Sequence, residues 1–280
     1  MKTVVTLTTI PQRLNTPETF KEGIKSNLYS LINQTHNDYE IHFNVPSKSK
    51  YTGENYVIPD WVERLAEAYP KFKIYNNLED MGPVTKLLPT VLRITDPETI
   101  IVVVDDDLVY HEDLVKEHIT NQDKFPEAVV GYDGMRSKDH FFNDVRDYYF
   151  TSNYRSSRVD ILQHYKSVSY KRSYFEEDFL DFVKENITWN DDLLVAAYFS
   201  DKRRNRIATF HESDTKFNSL EEWQAGGGVT TFPVLRHTNH GTVEGCNAYR
   251  QDKENENFLG ETTHTDLFKK YVDHGYSAKV

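Results

Sequence analysis

The 280-residue sequence predicts an α/β domain with a mostly parallel central sheet flanked by helices. Three observations predict it. Short β-branched segments alternate with amphipathic segments along the first half of the chain. A continuous apolar run at residues 100–104 marks a central strand covered on both faces. Polar residues stand at the carboxyl ends of the expected strands, where sheets of this kind bind ligands.

Residues 3–7 are β-branched and read as the first strand. Thr16-Pro17-Glu18 then carries an N-cap, a Pro at the first helical position and an early acid. Phe20, Ile24, Leu28, Leu31 and Ile32 follow at helical spacing. Residues 39–45 form the second strand, 59–68 the second helix and 72–75 the third strand. Met81-Gly82-Pro83 opens a helix with Leu87, Leu88, Val91 and Leu92 on it, and the run at 100–104 is the fourth strand. Such a βαβαβαβ series calls for right-handed crossovers. From 133 to 158 aromatics, Asp and Arg break the pattern, which reads as a surface loop. A strand pair is expected over 159–170, helices over 176–184 and 191–199, a short strand over 206–210 and a late helix over 265–272. Residues 1–210 thus form the catalytic-sized unit, divided near 131, and 211–280 an extension packed on it.

Composition narrows the functional classes. The chain is 38% hydrophobic and 13% aromatic, enough apolar surface to exclude a disordered chain. Its net charge of −11 argues against a general nucleic-acid binder, whose affinity comes from neutralising phosphates. The single cysteine, Cys246, excludes an intrachain disulfide and a multi-cysteine zinc site. No stretch approaches the ~20 apolar residues of a transmembrane helix, and the Thr-rich start lacks a signal-peptide pattern. The expectation is a cytoplasmic protein.

The strongest chemical signal is Asp105-Asp106-Asp107, directly after the apolar run. Three adjacent carboxylates repel one another. A divalent cation removes that cost, and hard oxygen ligands suit Mg²⁺ or Mn²⁺. A helix N-terminus would account for one acid but not for three. A second pair, Asp191-Asp192, follows Asn190 at the start of an amphipathic segment. It reads either as a helix cap or as the source of a general base.

An apolar strand ending in Asp-x-Asp after three βα units resembles the nucleotide-sugar glycosyltransferases of the GT-A (Rossmann-like) fold. So do Thr8-Thr9-Ile10-Pro11-Gln12-Arg13, Asn33-Gln34-Thr35, the stretch from Asp80 to Leu87 and Asn190-Asp191-Asp192-Leu193. The resemblance covers residues 1–210. It implies that Asp105, with Asp106 beside it, contacts the donor, and that Asp107 binds a metal bridging the two phosphates. Thr8, Thr9, Ile10 and Arg13 would line the base and ribose pocket, with Asn44 beside it. Asp80 and Lys86 belong to the donor side, Lys86 as its basic group. Asp191 or Asp192 would be the base that deprotonates the acceptor. His237 and His240 are the candidate late metal ligands. Residues 133–136 and 159–175 would lie on the acceptor side, where related sequences often carry Gly in place of Lys166 and Ser167.

The implied activity is metal-dependent transfer of a sugar from a nucleoside diphosphate, UDP favoured, to a glycan or other hydroxyl acceptor. An inverting course and a role in cell-surface or glycoprotein glycan synthesis are expected. Two alternatives use the same residues differently. An aspartyl-phosphate phosphohydrolase of the haloacid-dehalogenase type would use Asp105 as nucleophile, and a non-catalytic carbohydrate-binding module would use only the aromatics.

Overall fold

The computed structural model describes residues 2–14, 24–50, 52–137, 146–148, 156–187, 190–209 and 230–233. The elements of the first half are β1 (Thr3–Leu7), α1 (Pro11–Leu14), α2 (Lys25–Ile32), β2 (Glu40–Pro46), α3 (Asp60–Ala68), β3 (Phe72–Leu78), α4 (Leu88–Arg93) and β4 (Ile100–Val103). There follow β5 (Leu108–Tyr110), α5 (Leu114–Lys124), β6 (Val129–Gly131), β7 (Gly134–Ser137), β8 (Arg146–Tyr148), β9 (Ser157–Arg158), β10 (Ile161–Leu162) and β11 (Val168–Lys171). The last are α6 (Phe179–Glu185), α7 (Asp191–Asp201), β12 (Arg206–Ala208) and β13 (Thr230–Pro233).

An eight-stranded sheet in the order β3-β2-β1-β4-β11-β6-β12-β9 organises the domain. Strands β3, β2, β1 and β4 are mutually parallel. β11 runs antiparallel between β4 and β6, β12 is parallel to β6, and β9 closes the edge antiparallel to β12. The expected mostly parallel sheet is therefore present.

Side-chain alternation builds a core on each face. Ile100, Val102 and Val104 face one cluster, with Val5, Leu7, Ile41 and Phe43 of neighbouring strands and Leu28, Leu31, Val62 and Leu114 of the helices. Ile101 and Val103 face the other, which holds Leu88, Val91, Phe179, Leu194 and Phe199. A strand buried on both faces is apolar throughout, which is why the run from 100 to 104 lacks polar residues. On the side of α4, β1 and β2 instead place buried Thr6, His42 and Asn44. Thr6 and Thr90 hydroxyls lie 2.7 Å apart, and the Asn44 amide donates to both.

Several expectations change here. Residues 133–158 are not one loop, because β7 and β8 pair antiparallel and β9 joins the main sheet. Two strands lie in the stretch expected as a strand pair, 159–170, but not against each other: β10 pairs with β7, while β11 inserts between β4 and β6. A tight turn, His164–Lys166, separates them. The helix expected from Met81 begins as a 3₁₀ turn, Gly82–Lys86, before α4. Within the expected extension, β13 pairs antiparallel with β5, the strand that follows the acidic triplet. The helix start at 16–18 and the late helix at 265–272 lie outside the described residues.

Candidate active site

The sheet direction gathers the polar residues at one edge. β1, β4 and β6 end there, and β11, running the other way, begins there. The edge therefore collects Thr8 to Arg13, Asp105 to Asp107, Asp133 and the turn at 164–167. The first turn of α7 joins them through the contacts of Asp191 and Asp192.

The acidic triplet is held by its backbone before its side chains act. The Asn27 amide donates to the carbonyls of Asp105 (2.8 Å) and Leu108 (2.7 Å). The backbone N–H of Asp105 donates to the Tyr110 hydroxyl at 2.9 Å. Tyr110 in turn donates to the carbonyl of Tyr165 at 3.0 Å, tying the triplet to the 164–167 turn.

The three carboxylates then diverge. Asp105 accepts from Lys86 Nζ at 2.6 Å. Asp106 turns inward, accepting from the Thr9 hydroxyl at 2.6 Å and pairing with Arg13. Burial pushes Asp106 up, against the pull of Arg13. Asp107 meets Arg13 Nη2 at 3.4 Å. Arg13 thus fastens the loop after β1 to the triplet, and Tyr56 reinforces that loop by donating to the Thr9 carbonyl at 3.0 Å.

Lys86 lies between the two acidic groups. Its ammonium is 2.6 Å from Asp105 and 2.8 Å from Asp191. Burial opposes its charge, but Asp105 and then Asp191 outweigh burial and raise its pKa. The same contact holds Asp105 below the usual carboxylate range despite burial. A buried lysine is tolerated because it is paired on both sides.

On the far side, Asn190 caps α7 by accepting from the Leu193 N–H at 3.0 Å. The cap is filled by Asn190, so Asp191 and Asp192 are available for other contacts. His164 Nδ1 is 2.7 Å from Asp191 Oδ2 and 2.8 Å from Asp192 Oδ1. The His164 backbone N–H also donates to Asp192 Oδ1, at 2.9 Å, and Nε2 meets the Tyr170 hydroxyl at 2.7 Å. Burial disfavours the imidazolium, but Asp191 and Asp192 overcome it and raise the His164 pKa to about 9. Burial also opposes ionised Asp191, yet Lys86 and His164 hold it well below its ordinary value.

The remaining expected residues lie as follows. Thr8 donates to the Asn44 carbonyl at 2.7 Å, so Asn44 meets that loop through its backbone while its fully buried side chain points into the layer under α4. The side chain itself is occupied with Thr6 and Thr90. Ile10 contributes its carbonyl to Arg13 and Leu14. Asp80 accepts the Gly82 and Lys50 N–H groups at 2.8 Å each, shaping the turn that delivers Lys86. His237 and His240 lie outside the described residues.

Among the described residues, His164, Asp191 and Asp192 form a group of potential metal ligands, with donor atoms within 4.8 Å of one another. Its N–O separations are hydrogen-bond distances. Asp105 and Asp107 offer hard oxygen donors, the set that suits Mn²⁺ or Mg²⁺. Sequence reasoning placed His164 and Tyr170 only within the acceptor-side stretch 159–175, without a role, and missed Tyr110 and Asn27. Asn27 reaches Asp105, Tyr110 reaches Tyr165 and His164 reaches Asp191 across elements distant in the chain, with no spacing signal of their own.

No protein-family model and no curated protein matches the chain. Solved structures do. It resembles S. aureus TarS residues 1–349 at 17% identity and a TM-score of 0.44, covering 75% of this chain and 60% of that one. GalNAc-T7, solved with UDP, GalNAc and Mn²⁺, aligns over 74% of this chain and 42% of its own at 9% identity and a TM-score of 0.50. The mannosyltransferase PcManGT from Pyrobaculum calidifontis, solved with GDP-Man and Mn²⁺, aligns over 99% of this chain and 69% of its own. Its identity is 14% and its TM-score 0.51. The chain thus spans less than two thirds of the first two proteins it resembles. At such identities the likeness to GalNAc-T7 and PcManGT concerns architecture alone, and with the sheet order above it shows that the chain has a GT-A-type fold.

Proposed function

We propose that the protein transfers a sugar from a nucleoside-diphosphate donor, UDP favoured, to a hydroxyl acceptor with the help of Mn²⁺ or Mg²⁺. The observation that carries this reading is the position of Lys86, 2.6 Å from Asp105 and 2.8 Å from Asp191. One buried cation joins the strand-end acids to the acids of α7, the two functions that glycosyl transfer requires.

Asp105 and Asp107 hold the donor end, and a metal bound there would neutralise diphosphate charge as a Lewis acid. Lys86 and Arg13 add fixed positive charge around the departing diphosphate. Asp192 takes the acceptor proton as the acceptor oxygen bonds to the sugar carbon, while the carbon–oxygen bond to the diphosphate breaks. Asp192 suits this role better than Asp191. Its side chain is 16% exposed against 9%, and Asp191 is occupied by both Lys86 and His164. A base separate from the donor acids supports a single displacement with inversion.

The test is a thermal-shift panel of UDP, GDP and their sugars with and without Mn²⁺. A ligand at 100 times its Kd stabilises the folded state by about 2.7 kcal/mol. The expected result is a Mn²⁺-dependent rise in Tm with one nucleotide, abolished by Asp107→Ala. No rise with any nucleotide favours the carbohydrate-binding alternative, and phosphate trapped on Asp105 favours the phosphohydrolase.

A further inference from the structure

We infer that His164 is a positioning residue that holds Asp192 in the orientation needed to accept the acceptor proton, an inference that rests on the transferase reading of the site. The geometry is particular. Asp192 Oδ1 accepts the His164 backbone N–H at 2.9 Å and lies 2.8 Å from Nδ1 of the same residue, an ion-pair contact. No hydrogen bond to the second carboxylate oxygen is present among the described residues, so it is the atom left to take a proton. The same Nδ1 holds Asp191 at 2.7 Å, and Lys86 ties Asp191 to the donor side.

Without that shared donor, two adjacent carboxylates at the start of one helix would repel each other. The more exposed one, Asp192, would be the one to swing away. A general base displaced from its target loses the benefit of fixed orientation. The imidazole itself is braced from behind. Nε2 meets the Tyr170 hydroxyl at 2.7 Å, and the ring is 1% exposed. The backbone of its turn is tied at Gln163 to the Asp133 carbonyl (3.1 Å) and at Ser167 to the His164 carbonyl (2.8 Å). A side chain fixed on both ring nitrogens and along its backbone is built to aim something.

The experiment measures release of nucleoside diphosphate from UDP-glucose, UDP-N-acetylglucosamine and GDP-mannose in the presence of Mn²⁺, with water as acceptor. It compares wild type with His164→Ala, His164→Gln, His164→Asn and Tyr170→Phe. An Asn amide reaches the position of Nδ1, whereas a Gln amide reaches that of Nε2. The expected result is a kcat lowered by about 10²–10³-fold in the Ala and Gln variants, as for loss of a working general base. Donor KM should change less than about twofold, and Asn should retain at least ~10-fold more activity than Gln. Tyr170→Phe keeps every contact on the carboxylate side, so it should show a smaller loss in kcat, again without a change in KM. It provides the readout if His164→Ala does not fold. Equal rates for Asn and Gln, an unchanged kcat, a rise confined to KM, or loss of one bound Mn²⁺ per chain in His164→Ala would overturn the inference. Failure of the wild type to release nucleoside diphosphate from any donor would instead overturn the transferase reading, and this inference with it.

Discussion

The ammonium of Lys86 lies 2.8 Å from Asp191 Oδ2, although Lys86 sits in the turn after β3 and Asp191 opens α7. That contact crosses the sheet edge and joins the first half of the chain to the second. Its removal leaves buried Asp191 and half-buried Asp105 without their shared cation. Breaking a buried pair by deleting one partner costs about 3–5 kcal/mol. Lys86→Met should therefore lower the urea-unfolding free energy by that order, and adding Asp105→Asn should recover part of the loss. A change below ~1 kcal/mol would show that the pair does not form in solution.

Asp191 and Asp192 should separate when each is changed to Asn. Asp192→Asn keeps an oxygen that accepts from His164 and disturbs little packing. It should hold Tm within a few degrees while lowering kcat by about 10²–10⁴-fold. Asp191→Asn removes a charge that Lys86 and His164 both contact. It should lower stability and donor turnover together. Steady-state kinetics paired with thermal melts checks both, and equal effects of the two substitutions would contradict the division of roles.

How much of this was legible depends on the range of the interactions. The strand run at 100–104 and the acids after it were readable because burial on both faces and charge crowding are local properties. The order of β1 to β4 followed from alternating periodicity. The second half was not readable in the same way. β11 runs antiparallel between β4 and β6, a partner choice made by tertiary packing rather than by its four residues Val168 to Lys171. Asp106 illustrates the limit within the site. Its sequence neighbourhood matches that of Asp105 and Asp107, yet it turns inward because Thr9 and Arg13 wait there. His164 sits 27 residues from Asp191, and only the turn before β11 brings them together.

Asp133 predicts a pH dependence of stability. It is fully buried, accepting from the Tyr165 hydroxyl and from the Gly134 N–H. Burial raises its pKa to about 7 from 3.8, against the opposing pull of Tyr165 and Lys166. Between those values the folded protein keeps a proton that the unfolded chain releases. Its contribution is therefore full below pH 3.8 and is lost as pH rises through about 7. Wild type minus Asp133→Asn stability, measured by denaturant unfolding, should fall by a few kcal/mol between pH 4 and 8. A flat difference would show that Asp133 titrates normally.

Ser167 carries backbone strain that orders the stability of its variants. Its φ of 73° and ψ of 142° lie in a region that Gly enters freely and L-residues rarely do. What offsets the strain here is a side-chain bond, Ser167 Oγ to His118 Nε2 at 2.7 Å, inside a fully buried pair. Ser167→Ala loses the bond and keeps the strain, so it should be destabilising by about 1–3 kcal/mol. Ser167→Gly loses the same bond but relieves a strain of similar size, about 1–3 kcal/mol. The Gly variant should therefore be clearly more stable than the Ala variant and near wild type in denaturant midpoint. An Ala variant as stable as the Gly variant would mean that the backbone at 167 is relaxed. The turn would then owe its shape to its hydrogen bonds alone.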